Sequence, residues 1–167
     1  EAESKLEECR NDPMLYVSEG AFWEAVVLTN KAFELYVNRY GEEAFRQAQI
    51  EENVVRRKEL EIIAENCFHV AQQPAENFWQ ALQLQWFIIV FARLEQNGGA
   101  SLGNGRMDVN LYPYYENDME NGTITRSQAR ELLECYWINL SQFPNVKLSE
   151  SAGRWYEAYA HFESVTI

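Results

Sequence analysis

Basic residues are scarce in this sequence. The 167 residues carry 14 lysines and arginines against 26 aspartates and glutamates, a formal net charge of −12. A general nucleic-acid-binding face needs a basic footprint, so that class of partner is not expected. Histidine is scarcer still, with only His69 and His161, which argues against a His-rich metal site. The three cysteines, Cys9, Cys67 and Cys135, are odd in number and widely spaced. They form neither a disulfide framework nor a zinc-ligand spacing. Such usage fits a reducing compartment, and a cytoplasmic location is the expectation. Long apolar runs are also missing. The most apolar stretch, residues 86–92, falls far short of the roughly 20 residues that a bilayer requires, so no membrane association is expected. The acidic opening Glu1-Ala2-Glu3-Ser4-Lys5-Leu6-Glu7-Glu8 does not read as a signal peptide.

Apolar bulk is abundant. Hydrophobic residues make up 47% of the chain and aromatics 14%, with nine Tyr, nine Phe and five Trp. That excludes intrinsic disorder and suffices to fill the core of one ordinary domain. We expect residues 1–167 to be part of a single domain with no internal boundary. The chain does not begin with Met, and its last residues, Ser164-Val165-Thr166-Ile167, read as the start of a strand. Both features suggest a piece of something longer.

The hydrophobic periodicity is mostly helical. Over residues 19–45, Phe22, Ala25, Val26, Thr29, Phe33, Tyr36, Val37 and Tyr40 recur in steps of three and four, the spacing of one helix face; Gly41 is a candidate kink. A second helix is expected over residues 51–71, with Arg56-Arg57-Lys58 set against Glu51, Glu52, Glu59 and Glu61 as an ion-paired outer face. Pro74, after Gln72-Gln73, suits the first turn of a third helix over residues 74–97. That helix is apolar nearly all round and should be buried on most sides. Thr125 and Gln128 form a capping-box pair that opens a helix running to about residue 140. Its expected core face is Ala129, Leu132, Leu133, Tyr136 and Trp137. Residues 141–161 read as a loop with one short helix, and residues 161–167 as a strand.

Three features invite a chemical reading. The Gly-rich residues 98–105 resemble a phosphate cradle, but they lack the Lys-Ser/Thr of a P-loop and follow a helix rather than a strand. The simpler reading is a tight connector. Residues 117–128 imitate an EF-hand loop, yet Met119 stands at its third position and Gln128 where a bidentate Glu belongs, which leaves a capped helical corner. Arg106 and Asp108 flank the Gly-rich turn, and a buried pair there would anchor the loop through charge-assisted hydrogen bonds; direct substrate contact is the alternative. Cys67 and Cys135 sit at apolar helix positions, as small core hydrophobes do, and Cys9 is expected to be exposed. No catalytic residue and no metal site emerges from these patterns.

Several stretches in order resemble the glycyl radical enzymes, the superfamily of pyruvate formate-lyase. Pro74-Ala75-Glu76-Asn77-Phe78-Trp79-Gln80-Ala81-Leu82-Gln83-Leu84-Gln85-Trp86-Phe87 is similar to the family helix P-A-x-x-F-x-E-A-L-Q-x-x-W-F. Gly105-Arg106-Met107-Asp108-Val109-Asn110-Leu111-Tyr112-Pro113-Tyr114-Tyr115 resembles G-R-x-D-Q-x-x-Y-P-Y-Y. Asp118, Gly122, Ile124-Thr125 and Ala129-Arg130-Glu131-Leu132-Leu133 continue the pattern. Upstream, Arg39-Tyr40-Gly41-Glu42-Glu43-Ala44 is similar to R-Y-A-x-x-A. Gln80, Val109 and Asn139 depart from the Glu, Gln and Lys common at those places, which bears on the subfamily.

The resemblance implies a mainly α segment of a larger ten-stranded β/α barrel. It implies a lyase or formate acetyltransferase-like enzyme of anaerobic metabolism acting on a small organic substrate. In such enzymes a backbone glycyl radical passes to a cysteine thiyl that abstracts hydrogen, and a radical S-adenosylmethionine activase installs the radical. The family is usually homodimeric. No catalytic residue of that chemistry falls in this segment, no cofactor is expected to bind it directly, and on its own it should be inactive. Gly105, Arg106, Asp108, Tyr112 and Pro113 are then expected to anchor a loop beside the barrel. The reading of a different class is a non-catalytic helical interaction module.

Overall fold

A computed structural model of the chain describes residues 1–95, 103–141 and 165–166. Two compact units emerge, Glu1–Gln72 and Gln73–Ile167. The loop and short helix expected over residues 141–161, and all but the last part of the Gly-rich stretch, lie outside the described residues.

The first unit opens with α1 (Ala2–Asn11). Asp12 ends it and starts the next turn, α2 (Pro13–Leu15), where Oδ1 accepts the Met14 and Leu15 N–H groups at 2.9 and 3.3 Å. Pro13 at the first helical position loses nothing there. A π-helical turn, Tyr16–Gly20, leads into α3 (Ala21–Ile50). Asn53 then caps α4 (Val54–Val70) by accepting from the Val55 and Arg56 N–H groups.

Helices α3 and α4 pack along small residues. Val37, Gly41, Ala44 and Ala48 are the buried positions of α3, spaced four, three and four apart. The expected face overlaps this one only at Val37, since Phe22 and Tyr40 are 62% and 49% exposed. Gly41 does not kink the helix. A Cβ there would lie 2.7 Å from the Phe68 ring and 3.0 Å from the Cys67 Cβ, so glycine lets α4 approach closely. Arg56 pairs with Glu59 at 2.8 Å, as the charge pattern suggested, whereas Arg57 donates to the Glu51 carbonyl at the end of α3. Cys9 is buried, contrary to expectation.

The second unit gathers α5 (Phe78–Glu95), α6 (Met107–Glu120) and α7 (Arg126–Ser141) around one core. Phe78, Leu82 and Ile89 from α5 meet Met107 and Leu111 from α6 and Ala129, Tyr136 and Leu140 from α7. Helix α5 begins at Phe78 rather than at Pro74, because Asn77 Oδ1 accepts the Gln80 N–H at 2.9 Å and stops the helix there. Helix α6 is not evident from the sequence, since Pro113 sits inside it and removes one backbone donor; the burial of Met107 and Leu111, one turn apart, holds it. On α7 the core face is confirmed at Ala129 and Tyr136, but Trp137 and Cys135 are exposed. A parallel pair closes the unit: β1 (Gly105–Arg106) beside β2 (Val165–Thr166), in register Gly105↔Val165. The strand expected near the end of the sequence is thus present at Val165–Thr166. Among the described residues, no helix is long and apolar enough to cross a membrane.

Candidate functional site

The turn joining β1 to α6 carries the residues that the sequence singles out. Gly105 has φ +63°, a left-handed conformation that costs an L side chain but not glycine. Arg106 then reaches over the start of α6. Its Nε donates to Asp108 Oδ1 at 2.8 Å and its Nη2 to Oδ2 at 2.6 Å, a bidentate fork. The pair forms as expected but at the surface, with side chains 54% and 37% exposed. Arg106 holds the Asp108 carboxyl down at about 2, and the Val109 N–H in the first turn of α6 assists. Tyr112 is exposed and its hydroxyl donates to Glu116 Oε1 at 2.9 Å, while Pro113 is also exposed. Gly105, Arg106, Asp108, Tyr112 and Pro113 therefore stand close in sequence on one turn and the helix it opens, where the Arg106 and Asp108 side chains are bonded to each other.

Behind this turn lies a polar junction that sequence reasoning missed. Asn104 is buried at 6% exposure. Tyr136 on α7 donates its hydroxyl to Asn104 Oδ1 at 2.6 Å, and burial raises the Tyr136 pKa, keeping it a donor. Gln85 on α5 donates to the Asn104 backbone carbonyl and to Oδ1 at 3.3 and 3.4 Å. One asparagine thus ties α5 and α7 to the turn before β1. The Trp86 and Tyr136 rings pack edge to face beside it, 6.3 Å apart. The only sequence signal was an asparagine between glycines, which looks like any turn.

A second buried junction sits at the start of α5. Asp118, 6% exposed, accepts the Phe78 N–H through Oδ2 at 2.7 Å and the Thr123 hydroxyl through Oδ1 at 3.1 Å. It caps α5 from 40 residues away. Gln80 Oε1 accepts the Glu76 N–H at 2.9 Å, so Gln80, the departure from the family glutamate, adds a neutral acceptor to the same helix start. The EF-hand-like stretch is the capped corner. Gly122 takes φ +68°, and Thr125 and Gln128 complete the capping box, each accepting the other's backbone N–H.

Arg93, in the last turn of α5, is buried at 4% exposure, and desolvation lowers its pKa. An arginine inside an otherwise apolar run was the available signal, and sequence reasoning passed over it. Among the described residues, no three His, Cys, Asp or Glu side chains come together as a metal-ligand set. The cysteines lie on three different helices, Cys9 on α1, Cys67 on α4 and Cys135 on α7, the first two buried and the third exposed.

The family model described as pyruvate formate lyase-like matches residues 1–167. The chain is 44% identical over 151 residues to an isethionate sulfite-lyase of Oleidesulfovibrio alaskensis, covering 90% of this chain and 18% of that protein. It is 36% identical over 146 residues to a (2S)-3-sulfopropanediol dehydratase of Klebsiella oxytoca, covering 87% of this chain and again 18% of the relative. Among solved structures, the glycerol-bound B12-independent glycerol dehydratase of Clostridium butyricum superposes with a TM-score of 0.84 at 33% identity, covering 98% of this chain and 20% of that one. The chain therefore spans about a fifth of the length of the proteins it matches.

Proposed function

From a chain that belongs to the pyruvate formate lyase-like family, we propose a segment of a glycyl radical lyase that cleaves a carbon–heteroatom bond in a small organic substrate. The observation that carries this reading is the 44% identity to an isethionate sulfite-lyase over nine-tenths of the chain. It favours a lyase over a formate acetyltransferase, and a small sulfonate as the substrate class. A second reading, dehydration of a small diol, draws on the likeness to the glycerol dehydratase.

In either reading the segment is helical shell, and residues 1–167 belong to one domain of the parent. The radical-bearing glycine and the thiyl cysteine belong to other parts of the polypeptide. What this chain contributes is position. Asp118 fixes the start of α5 and Asn104 its middle, and Gly105, Arg106 and Asp108 shape the turn beside β1, with Tyr112 and Pro113 on the helix that follows. The parent acts in the anaerobic cytoplasm as a homodimer, and a radical S-adenosylmethionine activase installs its radical.

The experiment is anaerobic activation of the full-length protein with its activase, read by electron paramagnetic resonance and by sulfite release from isethionate. A glycyl radical signal with sulfite release supports the sulfonate lyase. A radical signal with dehydration of glycerol instead selects the second reading. No radical signal removes both, and leaves a non-catalytic helical interaction module.

A further inference from the structure

Helix α3 carries an outer apolar seam on the side away from α4. Ala21, Ala25, Leu28, Ala32 and Leu35 are all exposed, with Leu28 at 70% and Leu35 at 61%. Their spacing of four, three, four and three is the a/d repeat of a coiled coil. The repeat has a sharp end. Beyond Leu35 the same side of the helix carries Arg39, Glu42, Glu43 and Arg46, all exposed, with Arg46 paired to Glu43. A seam of alternating alanine and leucine lets a second helix come close, with a leucine seated over a facing alanine. Glu24 and Lys31 edge this seam on one flank, one heptad apart, and both are exposed. The Tyr16 hydroxyl donates to Glu24 Oε1 at 2.8 Å. The Lys31 ammonium reaches Glu3 at 3.0 Å and stays 63% exposed. A carboxylate and an ammonium each have capacity for more than one partner.

We infer that this seam is a two-fold interface with a second copy of this chain, the two α3 helices running antiparallel about a point between Val26 and Val27. The flanking charges select the occupant, the orientation and the register. In this register Leu28 sits against the partner's Ala25 and Ala21 against the partner's Ala32, and the symmetry repeats each contact. Glu24 then faces the partner's Lys31, and Lys31 faces the partner's Glu24, so one sequence supplies two opposite-charge pairs. Sliding one helix by a heptad sets Leu28 against the partner's Ala32, but it also sets Lys31 against the partner's Lys31, a like-charge juxtaposition that disfavours that register. A parallel pair places Glu24 beside the partner's Thr29 and Lys31 beside the partner's Tyr36, with no ion pair on either flank. A contact of about four helical turns is small for a protein–protein interface, so the dimer is weak and concentration-dependent.

The inference goes beyond the proposed activity and does not depend on it, since its test needs only the 167-residue chain. Sedimentation equilibrium should show a reversible monomer–dimer association. Glu24→Lys and Lys31→Glu each put two like-charge pairs in the interface and should raise the dissociation constant about fivefold or more. The double variant restores both pairs with their signs exchanged and should return to within about twofold of the unmodified chain. Glu24→Lys is the sharper of the two single variants. It makes an acidic chain less negative, so an association governed by overall charge would strengthen. A dimer that Glu24→Lys strengthens, that neither single variant weakens, or that the double variant does not restore overturns the inference, as does a chain that stays monomeric or forms only larger aggregates. Cross-linking provides a second measurement. In a Cys135→Ser background, Ala25→Cys with Leu28→Cys should give a covalent dimer under mild oxidation, and Leu28→Cys with Ala32→Cys should not. The reverse pattern, or no covalent dimer from either pair, overturns it.

Discussion

Single side chains set the clearest expectations. The Asp108 carboxyl is depressed to about 2 by the Arg106 fork, against roughly 3.9 for an unfolded aspartate. A depressed folded pKa stabilises above the unfolded value, and that contribution is lost as pH falls from about 4 through about 2. Because the pair is exposed, solvent screening keeps the effect small, so the titration itself is the better readout. In Arg106→Gln, the Asp108 carboxyl followed by NMR should return towards the ordinary aspartate range; a value that stays near 2 would show that the α6 start, not Arg106, sets it. Asp118 is different because it is buried. Asp118→Ala removes the cap of α5 and the Thr123 bond together, and should cost about 2–3 kcal/mol in chemical denaturation. Asp118→Asn, which can still accept from Phe78, should cost less.

At the scale of elements, the α3–α4 hairpin depends on its small residues. Gly41→Leu would drive a side chain into Phe68 and Cys67 and should lose roughly 2 kcal/mol or more. Gly41→Ala gains up to about 1 kcal/mol of helix propensity, and the half-exposed Phe68 ring can shift, so that variant should unfold within about 1 kcal/mol of the wild type. The family pattern R-Y-A-x-x-A agrees, with alanine at this place. Equilibrium urea unfolding of both variants checks the pair. The same hairpin shows what periodicity could reveal. Steps of three and four located α3 and α4, but on α3 they chose large residues for the buried face, because size and hydrophobicity dominate a periodicity count. The actual seam is glycine and alanine, which register weakly in such a count and matter through the close approach they permit. Helix α6 was hidden for a related reason: Pro113 is a strong local breaker, and only the tertiary burial of Met107 and Leu111 outweighs it. The capping box at Thr125 and Gln128 was legible because its partners are three residues apart. The Asp118 cap on Phe78 was not, because 40 residues separate donor from acceptor. The site divided in the same way. Arg106 and Asp108 are neighbours whose fork could be read directly, whereas Asn104 gains its role only when α5 and α7 converge on it.

For the whole molecule, the exposed apolar surface is the feature that distinguishes a segment from a self-sufficient protein. Scattered exposed hydrophobics are ordinary, but those on α3 are ordered. Ala21, Ala25, Leu28, Ala32 and Leu35 follow one another at steps of four, three, four and three, all exposed, with Leu28 at 70% and Leu35 at 61%. The buried positions of the same helix, Val37, Gly41, Ala44 and Ala48, fall on its opposite side at about 100° per residue. A helix with apolar stripes on two sides is built to be covered on both, and continuous apolar patches on soluble monomers are rare unless something binds them. The remaining four-fifths of a protein the length of the relatives is ample to cover the second stripe. The isolated 167-residue chain is therefore expected to self-associate in sedimentation velocity, to bind a hydrophobic dye, and to form no product when mixed with an activase and isethionate. The double variant Leu28→Glu, Leu35→Glu should shift it towards monomer and reduce dye binding with its helical circular dichroism intact. If the unmodified chain sediments as a monomer without dye binding, the outer stripe of α3 tolerates water and the case for a covering segment there fails.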